Sequence, residues 1–159
     1  MKPHRPVYVV GGGHSPFTGK GHPEFITRRH PDFGQRENPS VSDHMKLALR
    51  AAADATGVDY DQVDKVYVSN FLGECFVKQG HLGSLAVAAE PRLDGKPIAR
   101  LEAACASGAA SVAACVDALQ AGCDVTLALG VEIESNVRGS EGVEYMAYAA
   151  HYAKQRGLD

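Results

Sequence analysis

The stretch IARLEAACASGAASVAACVDALQAG, Ile98 to Gly122, decides the fold. Its opening residues, Ile98 to Ala103, read as a strand leading straight into Cys105. From Ala106 to Ala121 the residues favour helix, and Gly122 closes the run. Ser107, Ser111, Asp117 and Gln120 are the polar side chains of that helix, and they do not gather on one stripe. A helix apolar nearly all round must be buried nearly all round. The expectation is therefore a helix enclosed in an α/β structure, with part of its cover supplied from outside these 159 residues.

Reading outward from this helix, Val125 to Leu129 is a continuous apolar strand of the kind buried on both faces. Upstream, Val63 to Val68 reads as a strand and Gly80 to Ala89 as a helix stopped by Glu90-Pro91. An earlier helix is capped by Ser40 or Ser42, with Asp43 in its first turn and Gly57 at its end. Val41, Met45, Ala48, Leu49 and Ala52 share one face of it, opposite Asp43, Lys46, Arg50 and Asp54.

Tyr8 to Val10 reads as a short buried strand ending at Gly11-Gly12-Gly13, and Val143 to Arg156 as a last helix ending at Gly157. Residues 14 to 40 carry many breakers and no periodicity, and so form a long loop. The alternation of strand and helix predicts a single α/β domain with a mostly parallel sheet and right-handed crossovers.

Composition narrows the function. Hydrophobic residues make up 45% and charged residues 22%, a globular balance, and the net charge of −3 gives no reason to expect nucleic acid. Val7 to Val10 is too short for a signal-peptide core or a membrane span, and a cytoplasmic location is expected. The four cysteines, Cys75, Cys105, Cys115 and Cys123, show no metal or redox spacing. None of the seven histidines has a partner at helical spacing, so no metal is expected. Gly11 to Gly21 matches neither a phosphate loop nor a dinucleotide fingerprint, because Pro16 and Gly21 stand at the wrong places. His14, His22 and His30, with their cationic neighbours, read as a solvated loop.

Cys105 stands where a strand turns into a helix. A cysteine there meets the positive end of the helix dipole and free N–H groups, which favour a thiolate. The same N–H groups can stabilise the oxyanion formed when a thiolate attacks a thioester carbonyl. On these grounds alone, a small core cysteine among alanines is the commoner reading. Cys115 and Cys123 read as core thiols, Cys75 has no assigned role, and Glu132 and Glu134 read as one structural and one exposed carboxylate.

These segments together resemble the thiolase superfamily. Ser15-Pro16-Phe17 with its glycines is similar to the thiolase N-terminal turn, and Asp64-Lys65-Val66-Tyr67-Val68 to its second strand. Leu101-Glu102-Ala103-Ala104-Cys105-Ala106-Ser107-Gly108 is similar to its nucleophile segment. Ala121 to Asp124 and Leu127 to Glu132 look like the following turn and strand, with wording that leans towards the lipid-transfer-protein type.

The resemblance covers nearly all of residues 1–159 as an N-terminal half, with 135–159 as the start of a CoA-contacting insertion. It implies one αβα half completed by a second, with the helix after Cys105 between them. It also implies an acyl-CoA acyltransferase in which Cys105 forms an acyl thioester, with acyl-CoA as substrate and no resident cofactor. The activating histidine and the second cysteine would come from a C-terminal half or a partner chain, within a dimer or higher oligomer. A ketoacyl-synthase relative and a non-catalytic thiolase-like binding subunit are the alternatives.

Overall fold

The computed structural model describes residues 4–150. Helix α1 (Val41–Thr56) is followed by strand β1 (Lys65–Ser69), the one-turn α2 (Gly73–Phe76) and α3 (Leu82–Ala89). Strand β2 (Ile98–Leu101), α4 (Ser107–Gln120), β3 (Thr126–Gly130) and α5 (Gly139–Met146) complete the order, with a 3-10 turn at Ala147–Ala149. The three strands are parallel in the order β2-β1-β3.

Side-chain alternation along β1 divides the molecule into layers. Val66 and Val68 are fully buried on one face, against Met45 and Leu49 of α1 and Leu82 and Ala86 of α3. Tyr67 points to the other face, where it packs with Cys115 and Ala118 of α4. The parallel register sets Leu127 and Leu129 beside Val66 and Val68, extending the first core, and Ala99 beside Tyr67, extending the second. Each fully buried Val or Leu contributes about 1.5–3 kcal/mol relative to exposure.

Helix α1 starts at Ser40, whose hydroxyl accepts the Asp43 N–H while the Asp43 carboxylate accepts the Ser40 N–H. The Ser40 hydroxyl also donates to the Asp43 carboxylate, and this bond, with that from the Ser40 N–H, holds the carboxyl below its usual range. Gly57 ends the helix at φ 68°, in the left-handed region. Strand β2 stops at Leu101, two residues before the expected Ala103, and α3 begins at Leu82 rather than Gly80. Residues 14–40 hold no strand or helix beyond an isolated bridge between Phe33 and Arg36.

Three expectations require correction. Tyr8 to Val10 is not a buried strand: the side chains are 78%, 89% and 71% exposed and make no ladder with β3. The segment is held at its ends instead, by Arg5 on Asp124 and the Cys123 carbonyl, and by Gly13, where a Cβ would lie 2.3 Å from the Ala52 nitrogen. Strand β3 is not buried on both faces: Leu129 is buried on one, but Ala128 is exposed on the other, and among the described residues β1 is the strand's one neighbour. The last helix begins at Gly139, not Val143, and gives way to a 3-10 turn after Met146. The remainder of that expected helix, with Gly157, lies outside the described residues. None of the described helices is long and apolar enough to cross a membrane.

Leu82 is fully buried between the α1–α3 layer and the sheet, whereas Leu47 on the outer face of α1 is 45% exposed. Leu82→Ala is expected to cost about 2–5 kcal/mol and Leu47→Ala less than about 0.5 kcal/mol. Urea unfolding of the two variants checks this, and equal losses would refute the layer assignment.

Candidate active site

Parallel strands deliver their C-terminal ends to one edge of the sheet, where the chain reverses from β2 into α4. The reversal occupies Glu102 to Ala106, with Cys105 exposed within it. Ala104, just before the cysteine, adopts φ 47°, and Lys78 is the other described non-glycine residue with positive φ. Such a conformation costs a residue with a Cβ about 1–3 kcal/mol.

Neighbouring bonds hold the turn. The Ala104 N–H donates to the Glu102 carboxylate at 2.5 Å, and the Ala104 carbonyl accepts from the Ser107 hydroxyl at 2.6 Å. The same hydroxyl accepts from the Ala103 N–H at 2.9 Å. At the start of α4, the N–H groups of Gly108 and Ala109 find no acceptor among the described residues. They belong to the unsatisfied donors at the positive end of the helix.

Cys105 opens into a cleft of about 1460 Å³ between the N-terminal segment, β3 and α4, lined by Phe17, His44, Val112, Leu119, Leu127 and Glu132 among others. Among the described residues, the Cys105 thiol makes no hydrogen bond with any histidine; His44 instead pairs with the Ser15 hydroxyl at 3.0 Å.

Beside Cys105, the strand ends are tied by a polar network that sequence reasoning missed. Asn70, buried after β1, donates to the Val131 carbonyl at 2.8 Å and accepts from the Gly73 N–H and from Arg100. Arg100 on β2 grips both oxygens of Glu74 and donates to the Phe71 carbonyl. That hydrogen bonding holds the Glu74 carboxyl below its usual range and raises Arg100 further above its own. The available signal was a lone arginine in the middle of a short strand, where a charge must be paired if it is to be drawn from water.

The remaining residues fall as follows. Glu132 accepts the Phe71 N–H at 2.7 Å. As a residue Glu132 is exposed, yet its carboxyl end is shielded enough that burial raises its pKa, against the Phe71 bond that lowers it. Glu134 is exposed, giving the structural and exposed pair expected of these carboxylates. Cys115 is buried and its thiol is pushed up by desolvation, while Cys123 packs against the same cluster. Cys75 lies inside α2 and is half-buried. In the long loop, Arg36 pairs with Glu24 and Asp32, and Lys20 reaches the Val137 carbonyl. His151 lies outside the described residues.

A family model described as the thiolase N-terminal domain matches residues 28–157. An acetyl-CoA acetyltransferase of Methanocaldococcus jannaschii is 39% identical over 87 residues, which are 54% of this chain and 22% of that protein. Its counterpart in Methanothermobacter thermautotrophicus is 35% identical over 99 residues, 62% of this chain and 26% of that protein. The matched segment therefore spans about a quarter of these relatives' length.

The Glu74–Arg100 pair gives a pH signature. A carboxyl whose folded pKa is depressed contributes stability above the unfolded glutamate value of about 4.3 and loses it as pH falls through the folded value. Glu74 is partly open to solvent, so its contribution should be about 1 kcal/mol or less. Below pH ~4.3, wild type is expected to lose stability more steeply than Glu74→Gln. Urea midpoints at neutral and acid pH test this, and parallel slopes would exclude the pairing.

Proposed function

The chain belongs to the thiolase family as its N-terminal domain, and from that premise we propose that it carries the acyl-accepting nucleophile, Cys105, of a thiolase-type acyl-CoA acyltransferase. The observation that supports this most directly is an exposed cysteine two residues before α4, with N–H groups unsatisfied among the described residues close by in the chain and an open cleft in front. The resemblance of its two archaeal relatives, each named an acetyl-CoA acetyltransferase, points the same way.

In the proposed reaction the Cys105 thiolate attacks the carbonyl carbon of an acyl-CoA thioester. The carbonyl electrons move onto oxygen, where backbone N–H groups near the helix start stabilise them. Collapse of the intermediate expels CoA thiolate, which takes up a proton, and leaves the acyl group on the Cys105 sulfur. A second acyl-CoA, deprotonated at its α-carbon, then attacks this new thioester. The products are a 3-ketoacyl-CoA and a free Cys105 thiolate, and the reverse sequence is thiolytic cleavage. The substrate is itself the CoA thioester, so the scheme uses no resident cofactor.

The proton acceptor comes from a C-terminal half, on the same polypeptide or on a partner chain. Ala109, Val112 and Ala113 form an exposed apolar strip on α4, and this is the surface on which that half would rest. A dimer, a cytoplasmic location and a place in acyl-CoA metabolism belong to the same reading, as does a CoA-contacting role for residues 135–159.

The test is acid-quenched mass spectrometry of the protein isolated from its own cells, with whatever chain supplies the C-terminal half, after exposure to acetyl-CoA. An acetyl group on the Cys105 peptide is expected, with turnover lowered about a thousandfold or more in Cys105→Ala. Acetylation that survives Cys105→Ala sinks the reading, as does a complete assembly that takes no acetyl group.

A further inference from the structure

Ser107 is the first residue of α4, one position past the N-cap Ala106, so its hydroxyl does not stand at the capping position. Here the hydroxyl turns backward. It accepts from the Ala103 N–H and donates to the Ala104 carbonyl, and α4 has no side-chain cap. The residue is buried at 5% exposure and lies two residues after the exposed cysteine.

What these bonds hold is a backbone conformation that alanine does not favour. At φ 47°, Ala104 stays left-handed only if both its polar groups are retained by partners. Glu102 takes its N–H and Ser107 takes its carbonyl, so rotation on either side of the Ala104 Cα breaks a bond. The Ser107 N–H also reaches the Ala104 carbonyl, at 3.1 Å, and the Ala106 N–H closes on the Ala103 carbonyl, at 2.9 Å. Cys105 is thus carried on a loop that its own flanks lock. The lock stands at a junction, since Ala104 lines both the large cleft and a smaller hollow of about 750 Å³ bounded by Cys75, Arg100 and Glu102.

Resting on the nucleophile reading above, we propose that Ser107 is a positioning residue: it locks Ala104 left-handed and so sets the approach of the Cys105 sulfur to the acyl carbon. Without the Ser107 hydroxyl, the Ala103 N–H loses its acceptor and the Ala104 carbonyl keeps only the longer bond from the Ser107 N–H, so Ala104 relaxes towards an ordinary conformation and Cys105 samples orientations from which attack does not occur. The Ser107 hydroxyl is committed to two backbone groups and the residue is 5% exposed, so its loss is expected to slow acylation and leave the acyl-CoA concentration for half-saturation unchanged. Glycine at 104 adopts the left-handed conformation without strain, and should recover what the missing hydroxyl costs.

The experiment compares wild type, Ser107→Ala and Ala104→Gly/Ser107→Ala in the assembled enzyme. Rapid-quench mass spectrometry follows acetylation of Cys105 by acetyl-CoA, and iodoacetamide labelling of the same cysteine shows that it is accessible in each. Ser107→Ala is expected to acetylate about tenfold more slowly at saturating acetyl-CoA, and the double variant to recover at least half of the wild-type rate. Equal rates in wild type and Ser107→Ala overturn the proposal, as does a loss that glycine leaves in place, which would mark a general structural defect. A wild type whose Cys105 is alkylated but never acetylated is a different result: it overturns the nucleophile reading itself.

Discussion

The site hangs on one reversal of the chain. Strand β2 ends at Leu101 and α4 must start at Ser107 in order to run back over β1 and reach β3. Five residues make that turn, Glu102 to Ala106, and they do so with a left-handed alanine rather than a glycine. An alanine in that state is a local weakness unless something fixes it, and Glu102 and Ser107 do so from the two sides. The outcome is a cysteine presented to solvent at the edge of a sheet whose interior residues admit almost none.

Two further constraints keep that edge still. Asn70 joins the ends of β1, β2 and β3 by bonding to Val131, Gly73 and Arg100 at once. Arg100 then carries the tie to Glu74 and the Phe71 carbonyl. Networks of this kind are costly when partly satisfied and rigid when complete. Among the described residues the buried Arg100 Nε has no acceptor, so the network is strong at the guanidinium tip and open at its stem.

The sequence made the layers readable because periodicity reports burial. The apolar face of α1, the Val-rich β1 and the small-residue α4 each appear within a residue or two of their expected limits. What periodicity could not report was pairing. Tyr8 to Val10 and Val125 to Leu129 are both apolar runs, and an apolar run shows that a segment could be covered, not that a neighbour is present. Within the described residues β3 has one partner and the N-terminal run has none. At the site, the place of Cys105 at a strand–helix junction was legible, because the strand and the helix on either side of it each carry a clear pattern. The bonds from Ser107 to the turn were not, because residue type does not tell which way a hydroxyl at a helix start is directed. Asn70 and Arg100 were hidden for a related reason: their bonds join segments about thirty and sixty residues apart.

The open surfaces are not independent of one another. Val112 and Leu119 on α4, Leu127 on the outermost strand and Cys105 all face one cleft. Val112 is 51% exposed there, a large side chain in water on a helix with few polar groups to solvate it. Apolar surface of that kind gains about 25 cal/mol per Å² when covered, so a complementary half would be held by the same contacts that expel water from in front of the sulfur. Electrostatic stabilisation of an oxyanion strengthens as water leaves. On the proposed reading, completing the fold and preparing the nucleophile are therefore one event. The α4 residues that look under-buried in this domain are those through which a second half would make Cys105 reactive.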